Sequence, residues 1–87
     1  MITIDTAANI GIITEQVANH VLWQFDHGGM QPGAFNAALY TTIAKADPEN
    51  RDRLAKVFPV QVAAYRIASE HDNGIDILRT IAGGDSR

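Results

Sequence analysis

The sequence predicts an all-α domain, a compact orthogonal array or bundle of about five short helices, possible as an oligomer. Apolar residues recur at three- and four-residue steps through most of the chain. Prolines and glycines stand where helices would start and stop. The stretches left between them are too short for anything but tight helix–helix connections. Only residues 1–4 have strand character, and a lone strand has nothing in this chain to pair with. With 87 residues and a 46% hydrophobic composition, the chain suits one domain over 1–87, frayed at 1–5 and 84–87. A domain of this size buries only about 60–65% of its unfolded surface, so a partner or second copy would add to a thin margin.

The first helix is expected from about Ala7 to His27. Asp5 or Thr6 offers a capping oxygen. Gly11 costs about 1 kcal/mol relative to alanine and leaves a later start, near Thr14, open. Gly28-Gly29 closes the helix, because glycine takes the left-handed conformation without a steric penalty. Ile10, Ile13, Val17, Val21 and Phe25 form one stripe facing the core. Ile12, Gln16, Trp23 and His27 form a second row on the opposite side, with His20 at its edge. An isoleucine and a tryptophan on an outer face require cover. Either other helices lie on both sides, or Ile12, Gln16, His20, Trp23 and His27 meet a partner or a second copy. Trp23 is thus an interface anchor or a core residue under the last helix.

The second helix spans about Pro32 to Ala46, with Pro32 at its first position and Phe35, Leu39, Thr42, Ile43 and Ala46 on its inner stripe. Asp47-Pro48-Glu49 is the clearest start signal: a capping carboxylate, a proline at the first helical position, and negative charge at the positive helix end. That third helix runs to about Phe58, with Leu54, Val57 and Phe58 inward and Asn50, Arg51, Asp52, Arg53 and Lys56 wet. Pro59 stops it and opens the fourth, which carries Val60, Ala63, Ala64, Ile67 and Ala68 to about Glu70. His71-Asp72-Asn73-Gly74 is a turn by composition. A last helix, about Ile75 to Ala82, points Ile75 or Ile77, Leu78 and Ile81 inward and ends at Gly83-Gly84.

Charge divides the chain. All seven Lys and Arg lie at or beyond Lys45, whereas residues 1–44 hold only Asp5, Glu15 and Asp26. A charge-poor half is expected in a core or an interface. The net charge of −3 disfavours nonspecific nucleic-acid binding, which needs a basic footprint. Without cysteine there is no disulfide and no thiolate metal site. His20 and His27 lack the spacing of a paired metal site, His71 comes from a loop, and no metal or cofactor is expected. Ser69 and Ser86 stand in no nucleophile elbow, and Gly28-Gly29 does not join a strand to a helix as a phosphate loop would. No catalytic set is visible. The apolar runs are too short to span a membrane, and Met1 to Asp5 show no signal-peptide core, so the cytosol is the expected location.

His27-Gly28-Gly29, Pro32-Gly33, Phe35, Leu39, Ile43, Ala46-Asp47, Asn50, Leu54, Phe58-Pro59 and Ala63-Ala64 resemble a group of small, functionally uncharacterised proteins encoded by actinobacterial phages and prophages. The shared pattern is HGG-x-x-PG-x-F, then AD-x-x-N, then FP, over roughly residues 27–68. The resemblance implies an origin, and a host-cell cytosolic location, but no active site to carry over. The expected function is a non-enzymatic protein–protein interaction module that self-associates and binds a host or phage protein. One alternative is a small DNA-binding regulator, the second and third helices acting as a helix-turn-helix with Asn50, Arg51, Arg53 and Lys56 toward DNA. Asp47, Glu49 and Asp52 among them would repel phosphate. Another alternative is a minor virion component.

Overall fold

Thr14 caps the first described helix, the later start that Gly11 left open: its hydroxyl accepts from the Val17 N–H at 3.1 Å. The computed structural model describes residues 12–83; Ile10, the Asp5 and Thr6 caps and the expected frayed ends lie outside them. Five helices make up the described chain: α1 Glu15–Gln24, α2 Ala34–Lys45, α3 Pro48–Val57, α4 Pro59–Glu70 and α5 Gly74–Ala82. The fold class is all-α, with no strand among the described residues.

α1 ends earlier than the glycine pair, and through a different residue. Asp26 takes the left-handed conformation at φ 65°. Its N–H donates to Trp23 O at 3.0 Å, and that of His27 donates to Leu22 O at 2.9 Å. This is the double bond pattern of a Schellman ending, with aspartate in glycine's usual place. Gly28 and Gly29 follow, also at positive φ, and turn the chain back along α1 until Met30 N–H reaches Asn19 O at 3.1 Å. A side chain at Gly29 would overlap that same Asn19 carbonyl, so this glycine serves close approach as well as backbone angle. Pro32 is buried but stands outside α2: Gly33 is the N-cap, and its carbonyl accepts the first helical bond, from Ala37 N–H at 2.9 Å.

α1, α4 and α5 pack on one another as the main bundle, with α2 leaning on α1 and α4. Val17, Ala18, Val21 and Leu22 of α1 meet Val62, Ala63, Ala64 and Ile67 of α4 and Leu78 of α5 in one core. Leu39, Tyr40 and Ile43 of α2 complete it. Asn19 fastens α1 to the far end of α5 by donating to Ala82 O at 3.5 Å. The radius of gyration of 11.9 Å matches the roughly 12 Å expected for a single packed unit of this length.

α3 is the outlier. Its main packing is against α4, and it has no buried residue. Asp47 caps it as expected, accepting from Asn50 N–H at 2.8 Å. Phe58 closes α3 and opens α4 in a single residue, at φ −124° and ψ 61°, because the following Pro59 excludes the helical region for the residue before it. Val57, expected inward, is 69% exposed. Phe35 and Thr42, expected on the inner stripe of α2, are also exposed. These three corrections share one cause: α2 and α3 each rest on α4 without packing extensively against one another, so the faces they turn toward each other stay open.

Tyr40 is fully enclosed, and its hydroxyl has no hydrogen-bond partner among the described residues. Burial pushes its pKa up to about 12. A phenol held neutral in the fold but free to ionise when unfolded stabilises less as pH rises, so stability is expected to fall between pH ~10 and ~12. Tyr40→Phe is expected to lessen that alkaline slope and to raise stability at neutral pH by about 1 kcal/mol, since a buried hydroxyl without a partner costs its desolvation. Urea melts at both pH values check this; a lower midpoint for the variant at neutral pH would contradict it.

Candidate functional site

The residues assigned to an interface from the first helix separate in the structure. Ile12, Gln16, Trp23 and His27 are exposed, with Ile12 at 44% and Trp23 at 42%. Trp23 therefore belongs to the surface, not to a core beneath the last helix. His20 is the correction: at 8% exposure it lies among buried residues. α1 is central, touching α2, α4 and α5, so its covered arc is wider than one stripe and takes in His20 and Leu22. A shallow depression of about 370 Å³ beside Trp23 is lined by Trp23, Gln24, Asp26 and Gly28.

The positions proposed for nucleic acid also separate. Asn50, Arg53 and Lys56 are exposed, but Arg51 is not on the wet side of α3. Its Nη2 donates to Ile43 O at 3.2 Å and Ala46 O at 3.4 Å at the C-terminus of α2, where helical donors run out; Ile43 O also accepts from Ala46 N–H at 3.2 Å. It lies 5.5 Å from the centre of the Tyr65 ring and 3.9 Å from the Glu70 carboxylate. Arg53 is held at the surface by Glu49 at 2.8 Å and Asn50 at 3.0 Å. The cation best placed for base contact in a helix-turn-helix is thus engaged within the fold.

Sequence reasoning missed an opening between α2 and α3. Thr42, Lys45 and Ala46 of the α2 end face Asn50, Arg53, Leu54, Val57 and Phe58 across a groove of about 460 Å³. Phe35, 66% exposed, lies against Phe58 with ring centres 5.9 Å apart and lengthens the apolar wall. The signal that could have found it is composition. In α3, PENRDRLAKV, only Leu54, Ala55 and Val57 are apolar besides Pro48, too few to be enclosed on two sides. Packing on α4 uses Leu54 and Ala55, and Val57 is left over.

Among the described residues, no three histidine, aspartate or glutamate side chains gather as a metal site would need, and no helix is long and apolar enough to cross a membrane. Comparison with protein families, with curated proteins and with solved structures gives no match.

Proposed function

We propose that this chain is a non-enzymatic protein-interaction module, encoded by an actinobacterial phage or prophage, that works in the host cytosol and binds a host or phage protein. The observation that supports binding is the α2–α3 groove, where Val57 and Phe35 stand more than half exposed on a small domain that has little apolar surface to spare. The origin rests on the residue pattern between His27 and Ala64. Self-association is assigned to a different helix, the α1 face bearing Ile12 and Trp23, whose exposure a second copy would relieve. The engagement of Arg51 weighs against the DNA-binding alternative; detection in purified particles would favour the virion alternative.

A photo-crosslinking amino acid placed in turn at positions 57, 23 and 72, in an actinobacterial host, tests the reading. The expected result is a discrete protein adduct from position 57, a self-adduct from position 23, and neither from the control at Asp72. Absence of adducts at both 57 and 23 would overturn it. Sedimentation velocity is expected to show a species above monomer mass that Trp23→Ala returns to monomer; a monomer at every concentration would remove self-association.

A further inference from the structure

The groove between α2 and α3 carries a chemistry that selects its occupant. Its apolar floor is Leu54, Val57 and Phe58, and Ala46 leaves one end wide. The charged side chains lining it are Lys45 and Arg53, and no carboxylate lines it. Lys45 has no ion-pair partner among the described residues. Arg53 pairs with Glu49, but both side chains are well exposed, at 64% and 75%, and such a pair is weak enough to exchange partners. Glu49 and Asp52 stand on the same helix, so the uncompensated positive charge at the groove is Lys45, with Arg53 available by exchange from Glu49.

The fold also restricts how a polypeptide can bind. With no strand among the described residues, there is no sheet edge for strand addition, and no tryptophan or tyrosine lines the groove to pack proline rings. A trough between two helices, apolar at its floor, matches the helix-in-groove mode.

We infer that the groove takes one amphipathic helix of a partner protein, its apolar side chains at i, i+4 and i+7 on Leu54, Val57 and Phe58, and its flanking carboxylates toward Lys45 and Arg53. This rests on the interaction reading above and names the partner's chemistry. Opposite charge across the rim sets orientation and speeds encounter, while the apolar anchors hold the complex.

Panning a displayed library of helical peptides against the full chain tests the inference. The expected peptides carry Leu, Ile or Phe at that spacing with Asp or Glu beside it. Their binding, read by fluorescence anisotropy of the synthesised peptides, is expected to weaken at least about tenfold on Val57→Asp. The double variant Lys45→Glu with Arg53→Glu is expected to cost about tenfold, and added salt to weaken the wild-type complex. Val57 is 69% exposed, so its variant is expected to melt like the wild type. Peptides without acidic enrichment, no selected peptide, or affinity indifferent to Val57→Asp would each overturn the inference. If binding instead fell with Trp23→Ala alone, the chain would remain an interaction module with its site on α1. If Val57→Asp dissolved a self-associated species, the groove's occupant would be a second copy and the inference would be wrong.

Discussion

Replacing Gly74 by alanine is expected to lower stability by about 3 kcal/mol, near the upper end of what overpacking a close contact costs. Gly74 is the first residue of α5 and is buried. A Cβ there would overlap the carbonyl oxygen of Ile67 and crowd the Ala68 backbone. The obstacle is main chain inside α4, not the end of a flexible side chain, so relief requires moving one helix away from the other. Gly74 N–H also donates to His71 O at 3.1 Å, which ties the α4–α5 turn to the same point. For a domain of this length, 3 kcal/mol corresponds to a melting temperature lower by about 15 °C. Gly33→Ala is the control without overlap, since nothing lies within 4 Å of a Cβ placed there; as the N-cap of α2 it is expected to cost no more than about 1 kcal/mol. A Gly74→Ala variant melting within a few degrees of wild type would show that α4 and α5 do not approach as described.

Arg51→Ala is expected to cost about 2 kcal/mol, lowering the melting temperature by about 10 °C. Three contributions disappear together. The carbonyls of Ile43 and Ala46 lose a charged donor, Ile43 O keeping only the Ala46 N–H, the Tyr65 ring loses the cation near its face, and the aliphatic stem no longer covers part of the α3–α4 junction. Arg51→Lys is expected to restore less than half, because an ammonium lacks the planar guanidinium that lies near the Tyr65 ring while its Nη2 reaches both carbonyls. Arg53→Ala, by contrast, loses only an exposed ion pair and is expected to change stability by less than about 0.5 kcal/mol. Equal, small effects at both positions in thermal melts would return Arg51 to the surface and strengthen the DNA-binding alternative.

The contrast between Arg51 and Arg53 shows where reading the sequence stopped. Both lie on a strongly polar helix, and helical spacing assigned both to water. Only one falls beneath the end of α2, because α3 and α2 meet at a corner set by Ala46 and Asp47 and not along their lengths. His20 shows the same limit from the other side. Periodicity placed it at the margin of an outer row, but α1 is covered by three helices, and the covered arc extends past the stripe that a surface helix would bury. Phe35 and Val57 erred in the opposite direction: large apolar residues at core spacing, left open because no helix arrives to cover them.

Local chemistry is short-range, and it was legible. Asp47 and Pro48 start α3, Pro59 forces the α3–α4 corner, the turn before α5 ends at Gly74, and the apolar steps of Val17, Val21, Leu39, Ile43, Ala63, Ala64, Ile67 and Leu78 mark buried positions. These follow from caps, backbone angles and a repeat of 3.6 residues, all confined to a few neighbours along the chain. Which helix covers which face was decided only in three dimensions, because two neighbouring helices can lie side by side or splay apart with the same caps and the same local backbone angles. That choice is settled by contacts between residues distant in sequence. It opened the groove at Val57, withdrew Arg51, and kept Ile12 and Trp23 at the surface.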